Sequence, residues 1–356
     1  MNGCKEINMP ALSCCIIAKN EGHRLPSLLE DLSAICEQIV VVDTGSIDNT
    51  VQVAEDMGAE VTVFPWTDSF SDARNKSLEC ACHPWILYVD ADDYLPERSL
   101  KGLKELKRGQ PGKAYALVIK STQDGVTGIS NAQIRLFPNI KGLSFKYRVH
   151  EQIRPALIKN GIPIVATEIE IIHTGYTDQD TVAAKQERNL ELLQKDLADY
   201  PQDGFLHYLA GMAWADLKKI SPAKDEFLEA WNFSIADTDK RHIALGAALE
   251  LSELALKEGK SGYAEALMWV EMAENIEKEY PRCMYLRGRL DYEKGDTENA
   301  LKPLRRLMLC RKTDLLLPLN LRMLKVTTAA LMSRIYLKTG RAQEAVSILS
   351  QAEHTL

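Results

Sequence analysis

Two aspartates separated by a single residue follow an apolar segment, Trp-Ile-Leu-Tyr-Val at 85–89. Asp90 and Asp92 therefore stand at the end of what the pattern predicts to be a buried β-strand. Carboxylates in this arrangement can serve one divalent cation and the ribose of a nucleotide, because Mg²⁺ and Mn²⁺ prefer hard oxygen ligands. Acidic pairs are also frequent on solvated loops. The preceding strand and the polar groups described next support a functional interpretation of this pair.

Two further polar clusters come at the ends of predicted strands. Asn20 and Glu21 follow the first apolar run of the chain, and Asp43 closes a short β-branched run. In an open α/β sheet, ligands bind at the carboxyl edge of the strands, where these clusters would meet. Asp43 can accept a hydrogen bond from a nucleobase N–H or a ribose hydroxyl. The structural alternative is a helix N-cap provided by Ser46 or Asp48, and both roles can hold because they use different residues.

Four more side chains have the chemistry of a catalytic site. Arg74 falls in the first turn of a predicted helix, where a guanidinium suits a diphosphate. His173 ends a predicted strand, and its neutral imidazole can complete the shell of a cation. His150 and Glu151 come after the main sheet, and Glu151 can take a proton from an acceptor. Each residue also has an ordinary structural explanation as an exposed ion pair or a satisfied hydrogen-bonding group.

The elements that must position these residues alternate between strands and helices at first. The predicted strands are 12–18, 39–42, 61–64 and 85–89, and the predicted helices are 25–35, 48–57 and 71–81. Such alternation implies a parallel sheet with helices on both faces. Beyond about residue 110, Gly- and Asn-containing turns join further predicted strands and indicate a mixed extension of the sheet. These strands are 115–120, 134–137 and 168–173.

From about residue 180 the strand signals vanish and an internal repeat appears. The recurring positions are Ala223, Phe227 and Ala230; Ala266, Val270 and Ala273; Ala300, Leu304 and Leu307; and Ala345, Leu349 and Ala352. The spacing resembles tetratricopeptide repeats, whose unit is about 34 residues, although only the step from Ala266 to Ala300 has that length. A plain helical bundle is the alternative. The pattern predicts an α/β domain over 1–178 and an all-α domain over 179–356.

The overall composition is that of an ordinary globular protein. The 356 residues are 46% hydrophobic and 26% charged, and the net charge of -7 disfavours a general nucleic-acid binder. No apolar stretch has the length of a membrane span or a signal peptide. We therefore expect a cytoplasmic protein whose 8 cysteines are reduced. A zinc site at Cys80, Cys82 and His83 lacks a second ligand pair, and burial as small apolar side chains is the alternative.

A series of short motifs, in order along the chain, resembles a known enzyme family. The motifs are Ile-Ile-Ala-Lys-Asn-Glu (16–21), Val-Val-Asp-Thr-Gly-Ser-Ile-Asp-Asn-Thr (41–50), Phe-Ser-Asp-Ala-Arg-Asn (70–75), Trp-Ile-Leu-Tyr-Val-Asp-Ala-Asp-Asp (85–93), Arg-Leu-Phe-Pro-Asn (135–139), Val-His-Glu-Gln (149–152) and Ile-Ile-His-Thr-Gly-Tyr (171–176). Together they resemble family 2 glycosyltransferases with a GT-A fold. They are similar to a branch that carries C-terminal tetratricopeptide-like repeats and glycosylates bacteriocin peptides on cysteine.

The resemblance implies an inverting, single-displacement transfer of a sugar from a nucleoside-diphosphate donor, often UDP-linked. It assigns Asn20, Glu21, Asp43, Arg74 and Asp90 to the donor nucleotide, and Asp92 and His173 to Mg²⁺ or Mn²⁺. The family frequently places its base in a Glu-Asp pair. Here His150-Glu151 stands instead and is the catalytic candidate, while Asp93 occupies a position that is often Glu.

The repeats favour a peptide or protein acceptor, because helical arrays present an extended surface for a polypeptide. They can instead mediate a homodimer. Two other functions compete with a sugar transferase. One is a catalytically silent nucleotide-binding scaffold that uses its repeats for protein interactions. The other is a nucleotidyltransferase, which would normally want a Gly-rich, basic phosphate loop that residues 18–22 do not provide.

Overall fold

The first half of the chain is built on one eight-stranded sheet. This computed structural model describes residues 10–123, 126–174, 179–311 and 319–353. The strands are β1 (Leu12–Ala18), β2 (Gln38–Asp43), β3 (Glu60–Val63), β4 (Trp85–Asp90), β5 (Asp93–Tyr94), β6 (Ala114–Gln123), β7 (Val126–Pro138) and β8 (Ile164–His173). Their spatial order is β3-β2-β1-β4-β7-β6-β8-β5.

Two kinds of strand pairing divide this sheet. β1 runs parallel to β2 and β4, and β2 runs parallel to β3, as the alternation of strands and helices predicts. β7 is antiparallel to β4 and β6, β8 is parallel to β6, and the short β5 is antiparallel to the end of β8. The expected mixed extension is thus confirmed, and it brings the last strand of the unit back beside the loop after β4.

Helices cover both faces of the sheet because side chains alternate along each strand. The helices are α1 (Leu25–Ser33), α2 (Thr50–Asp56), α3 (Phe70–Cys80), α4 (Glu97–Lys107) and α5 (Arg154–Lys159). In β1, Cys14 and Ile16 face the apolar cluster that contains Leu29 and Leu32 of α1. Cys15 faces the opposite cluster, with Leu157 of α5. Because the side chains of β1 alternate between the two faces of the sheet, this one strand contributes to both apolar clusters.

The second half of the chain is helical throughout its described residues. Its helices are α6 (Gln179–Asp199), α7 (Gly204–Asp216), α8 (Ile220–Ser234), α9 (Arg241–Lys257), α10 (Tyr263–Glu277), α11 (Pro281–Glu293), α12 (Thr297–Leu309), α13 (Leu321–Lys338) and α14 (Ala342–Glu353), with short 3₁₀ turns at Thr238–Lys240 and Gly259–Gly262. From α7 onward, consecutive helices pack as pairs.

The helix pairs explain the repeat in the sequence. Each recurring triplet lies on the second helix of a pair, and its members are buried except for Leu349. A Cβ placed on Gly211 of α7 would lie 2.5 Å from the ring of Phe227, and one on Gly288 of α11 would lie 2.5 Å from Leu304. The same small-against-large contact thus recurs in two pairs. The expected tetratricopeptide-like arrangement is confirmed.

The boundary between the two units falls inside α6. Contacts divide the chain into Met1–Leu192 and Leu193–Leu356, whereas the sequence pattern placed the boundary at 178/179. The first half of α6 belongs with the α/β unit, since the guanidinium of Arg188 lies 5.1 Å from the centre of the Phe70 ring. Among the described helices, none is both long and apolar enough to cross a membrane.

Candidate active site

The registers of five strands bring the predicted site residues to one edge of the sheet. Asp43 at the end of β2 pairs with Ala18 of β1, and Asp90 at the end of β4 pairs with Ile17. Asp93 in β5 pairs with His173 at the end of β8. Residues that are far apart in sequence therefore meet at the carboxyl edge, as expected for an open α/β sheet.

Asp90 is held between two guanidinium groups. Its Oδ1 lies 2.5 Å from Arg74 Nη2, and its Oδ2 lies 2.8 Å from Arg135 Nη2. Burial alone would raise the pKa of Asp90, but Arg135 and Arg74 outweigh it and hold this pKa well below its usual range. Both guanidiniums also lie over the ring of Tyr88, at 4.6 and 4.4 Å from its centre. The sequence analysis did not identify Arg135 as a site residue. The pattern that could have indicated it is a single basic residue inside an apolar predicted strand.

Arg74 links Asp90 to the catalytic candidate Glu151. The arginine is 5% exposed and is the fifth residue of α3, whose N-terminus is capped by Ser69 Oγ accepting from the backbone N–H of Asp72. Its Nε lies 2.5 Å from Glu151 Oε1. Both predicted residues are thus brought together, in an ion pair rather than as independent groups.

A closed loop presents His150 and Glu151. Backbone hydrogen bonds of 3.0 Å in both directions between Lys146 and Gln152 close the loop at its base. His150 has a φ of 55°, in the left-handed region that side chains rarely adopt, and it is exposed. Such strained residues cluster at functional sites. The loop therefore holds Glu151 against Arg74 and turns His150 toward solvent.

His173 lies against two carboxylates of the acidic loop. Its Nδ1 is 3.0 Å from Asp93 Oδ1 and 3.3 Å from Asp92 Oδ1. The hydrogen bond to Asp93 is the main reason that the pKa of His173 is raised. Burial, with some contribution from Asp90 and Asp93, raises the pKa of Asp92. The site thus concentrates negative charge around one imidazole.

This donor set fits a divalent cation. Among the described residues, ligand atoms of Asp90, Asp93 and His173 lie within 4.8 Å of one another, whereas Cys80, Cys82 and His83 form no such group. Asp90 is already paired with two arginines, and the side chain of Asp93 is 0% exposed. The accessible donors are therefore Asp92 and His173, whose side chains are 15% and 34% exposed. The sequence assigned Asp92 and His173 to a metal, and of these two only His173 belongs to the group of three potential ligands.

One carboxylate oxygen of Asp43 accepts hydrogen bonds from the protein, and the other does not. Oδ2 accepts from the backbone N–H groups of Gly45 and Ser46, each at 3.0 Å. Oδ1 is buried and has no hydrogen-bond partner in the part of the chain that the structure describes. An unmet buried acceptor is costly and points to a missing donor. The N-cap position of α2 is Asn49, whose side chain makes no capping bond, and Asp48 just before it accepts from the backbone N–H of Thr50 at 3.0 Å.

The loop after β1 is fastened to the loop after β2. Asn20 has a φ of 58°, and its side chain accepts from the backbone N–H of Ile47 at 2.9 Å, while its own N–H donates to Ser46 Oγ at 2.8 Å. Glu21 pairs with Arg24 at 3.4 Å, and Arg24 also lies 4.0 Å from Asp92 Oδ2. Arg24 was not identified from the sequence. It lines a cavity of about 220 Å³ beside Asp92.

The profile of the family "Glycosyl transferase family 2" matches residues 13–173. This segment is therefore similar to family 2 glycosyltransferases. The matched range includes every site residue predicted from the sequence, and it ends at His173. The expected resemblance is confirmed.

The relatives of the chain extend beyond this domain. It is 27% identical over 285 residues to a TPR repeat-containing protein of Synechococcus elongatus, a match that covers 74% of this chain and 70% of that protein. It is 25% identical over 287 residues to the SPbeta prophage-derived glycosyltransferase SunS of Bacillus subtilis, covering 79% of this chain and 66% of SunS. The chain thus matches less than two thirds of the length of SunS.

Two solved structures of other proteins show only a loose similarity to this chain. S. aureus TarS 1–349, in complex with UDP-GlcNAc, has a TM-score of 0.41 at 15% identity and covers 83% of this chain and 90% of that one. Glucosyl-3-phosphoglycerate synthase of Mycobacterium tuberculosis, in complex with Mn²⁺ and UDP, has a TM-score of 0.39 at 16% identity and covers 52% of this chain and 80% of that one.

Proposed function

We propose that this protein is a metal-dependent glycosyltransferase that moves a sugar from a UDP donor, with inversion, to a side chain of a peptide or protein. The observation that carries the proposal is the meeting of Asp43, Asp92 and His173 at one sheet edge of a segment that is similar to family 2 glycosyltransferases. Each of the three offers chemistry that a nucleotide sugar and its cation require. The following paragraphs take the donor, the cation, the base and the acceptor in turn.

The nucleoside would bind at Asp43. The unpartnered Oδ1 of this buried carboxylate is a ready acceptor for an N–H of uracil, and the neighbouring backbone N–H groups already hold its other oxygen. Asn20 joins the loop after β1 to the loop after β2, which follows Asp43, and Glu21 lies next to Asn20. A pre-formed acceptor of this kind costs little reorganisation when the base arrives.

Asp92 and His173 would hold Mg²⁺ or Mn²⁺ with the donor diphosphate. When bound, the cation supplies stabilisation for the charge that develops on the departing diphosphate. Arg74 adds fixed positive charge on the other side of Asp90, where it is already oriented by two carboxylates. Charge that is positioned before the reaction stabilises the transition state most effectively.

Glu151, with His150 beside it, would receive the proton of the attacking acceptor group. Arg74 fixes one oxygen of Glu151, so the carboxylate has a defined position at the edge of the site. In a single displacement the acceptor attacks the anomeric carbon from the face opposite the diphosphate, which leaves with inversion. Positioning of the acceptor supplies much of the remaining rate enhancement.

The helical unit would bind the polypeptide that carries the acceptor side chain. It occupies Leu193–Leu356 and repeats a helix pair from α7 onward. Paired-helix arrays offer long surfaces that can contact an extended segment at several points.

The proposal is tested by incubating the protein with UDP-sugars and measuring the released nucleotide. We expect UDP release from at least one donor, and UDP binding by calorimetry that weakens when EDTA removes Mn²⁺. Release of pyrophosphate would indicate nucleotidyl transfer instead. Absence of any release, together with metal-independent UDP binding, would support a silent scaffold.

A further inference from the structure

The helical unit contains a strongly basic segment in an otherwise acidic protein. Residues 302–341 include ten arginines and lysines and one acidic residue, whereas the whole chain has a net charge of -7. The segment covers most of α12 and all of α13, and α13 itself carries four basic residues and no acidic one. Positive charge is therefore concentrated in this part of the helical unit, where it can attract a negatively charged partner.

One face of α11 carries two arginines with different surroundings. Arg282, Tyr285 and Arg289 follow one another at intervals of three and four residues, which places them on the same side of the helix. Arg282 donates to Glu250 at 2.7 Å and to Glu253 at 2.6 Å, and both glutamates belong to α9. Arg289 has no ion-pair partner among the residues that the structure describes. The glutamates of α9 thus neutralise only the first of the two arginines.

On its other side, α11 contacts α13, which brings a third arginine and no carboxylate. Arg334 of α13 is exposed and, like Arg289, forms no ion pair within the described part of the chain. Burial raises the pKa of the Tyr285 hydroxyl, while Arg289 and Arg334 both act on it in the opposite direction. The ring of Tyr285 packs against the apolar clusters of both neighbouring helix pairs. Two arginines without a carboxylate partner therefore lie beside a firmly packed tyrosine.

We propose that Tyr285, Arg289 and Arg334 form a docking surface for an acidic segment of the polypeptide acceptor. The inference rests on the proposed transfer to a peptide or protein, and it adds the chemical class of segment that the helical unit recognises. A guanidinium binds a carboxylate through two parallel N–H···O bonds, and a tyrosine hydroxyl can donate another. A polypeptide suits this surface better than a nucleic acid, because a net charge of -7 opposes a long polyanion.

The first experiment measures peptide binding by the full-length protein in the absence of a sugar donor. The probes are short fluorescein-labelled peptides of Gly, Ser and Leu that carry glutamates at varied spacing, and the matched peptides carry glutamine at the same places. We expect fluorescence anisotropy to show binding of glutamate peptides only. This binding should fade between about 0.1 M and about 1 M NaCl, because the Debye length falls from about 10 to about 3 Å. Equal binding of the two sets, or no binding of either, overturns the inference.

The second experiment compares variants on the best glutamate peptide. Arg289→Gln should weaken binding by about 10-fold, because its half-buried guanidinium can make a well-oriented charged pair. Arg334→Gln should weaken it by about 3-fold, since this side chain is exposed. The control Arg306→Gln removes the same charge from an exposed side chain that already pairs with Glu279. A control that weakens binding as much as Arg289→Gln would mean that overall charge, and not this surface, holds the peptide.

Two further results separate this inference from the proposed function and from nucleic-acid binding. UDP release by the wild type without selective binding of glutamate peptides overturns this inference alone. Selective binding without UDP release from any donor contradicts the proposed function and leaves the docking surface intact. A polyuridine oligonucleotide that binds more tightly than every glutamate peptide, and that Arg289→Gln releases, would assign the surface to nucleic acid and overturn the inference.

Discussion

Arg74 Nε lies 2.5 Å from Glu151 Oε1, which joins the residue expected at the diphosphate to the residue expected at the acceptor. The same guanidinium reaches Asp90 through Nη2. One buried arginine thus holds carboxylates from β4 and from the loop at 146–152. Its removal should affect both the stability of the α/β unit and the reaction.

We expect Arg74→Met to lower the free energy of unfolding by about 3 kcal/mol, because two partly buried carboxylates lose a partner. Turnover should fall as well. Urea unfolding measures the first effect and UDP release the second. Lys76→Met on the same helix is the control, since Lys76 forms an ion pair with Glu79 on the surface. Equal unfolding curves for the two variants would contradict the buried role of Arg74.

Asp43→Asn should weaken UDP binding by about 10- to 100-fold, the loss expected for a hydrogen bond to a charged acceptor. The amide oxygen can still accept from Gly45 and Ser46, which places the NH₂ group where the nucleobase needs an acceptor. Calorimetry with UDP measures the change. Asp56→Asn, at the exposed end of α2, is the control. UDP affinity equal to that of the wild type would exclude the nucleobase contact.

Asp92→Ala should abolish sugar transfer in the presence of Mn²⁺ without lowering thermal stability. Burial and the neighbouring Asp90 and Asp93 raise the pKa of Asp92, so its removal relieves repulsion among like charges in the metal-free protein. Paired activity and melting measurements check both halves of this expectation. Transfer that persists near the wild-type rate would remove Asp92 from the cation site.

The helical unit should become less stable as the pH rises. His207 lies with Nδ1 2.6 Å from Glu226 Oε2 and Nε2 3.0 Å from the carbonyl of Pro201. Burial lowers the pKa of His207, but these two acceptors outweigh it and raise the pKa above 6.5. The resulting stability is fully present below a pH of about 6.5, the unfolded value, and is lost as the pH rises through the folded value.

Unfolding at a pH of about 5.5 and about 8.5 tests this dependence on either side of the ordinary histidine pKa. His207→Gln should flatten the difference, and so should Glu226→Gln. Asp225→Asn, at an exposed position of the same helix, is the matched control. A pH profile that His207→Gln leaves intact would assign the effect to another group.

Truncation after Asp199 should separate donor chemistry from acceptor binding. The cut keeps α6, whose Arg188 contacts Phe70 of the α/β unit. We expect slow hydrolysis of the donor to persist and transfer to a peptide to be lost. Circular dichroism and UDP calorimetry establish that the shortened protein is folded. Peptide transfer at the full-length rate would show that the repeats do not grip the acceptor, and it would leave dimerisation as their role.

The sequence was sufficient to predict which residues lie at the carboxyl edge of the sheet, because a polar residue directly after an apolar strand lies at that edge in a parallel sheet. Asp43, Asp90 and His173 could therefore be assigned without coordinates. Arg135 could not be assigned in this way, because its partner Asp90 lies 45 positions away in the sequence. The residues next to Arg135 do not indicate that a distant carboxylate neutralises its charge. The same is true of Asp93, whose hydrogen bond to His173 spans 80 positions.

The division by contacts at 192/193 differs from the boundary expected at 178/179 for a similar reason. Helical periodicity begins at Gln179, but only tertiary packing reveals which unit the first half of a helix contacts. Periodicity describes an element and not its neighbours. The repeats could be predicted because small-against-large contacts, such as Gly211 with Phe227, recur along the chain, although at unequal intervals.

The position of β8 has a consequence for synthesis on the ribosome. This strand is the last of the sheet along the chain, yet it lies between β6 and β5 and carries His173 at its end. The acidic loop must therefore emerge from the exit tunnel roughly 80 residues before His173, whose imidazole contacts Asp92 and Asp93. Nascent chains stalled before residue 173 has emerged should contain a largely formed parallel sheet and still be unable to retain Mn²⁺.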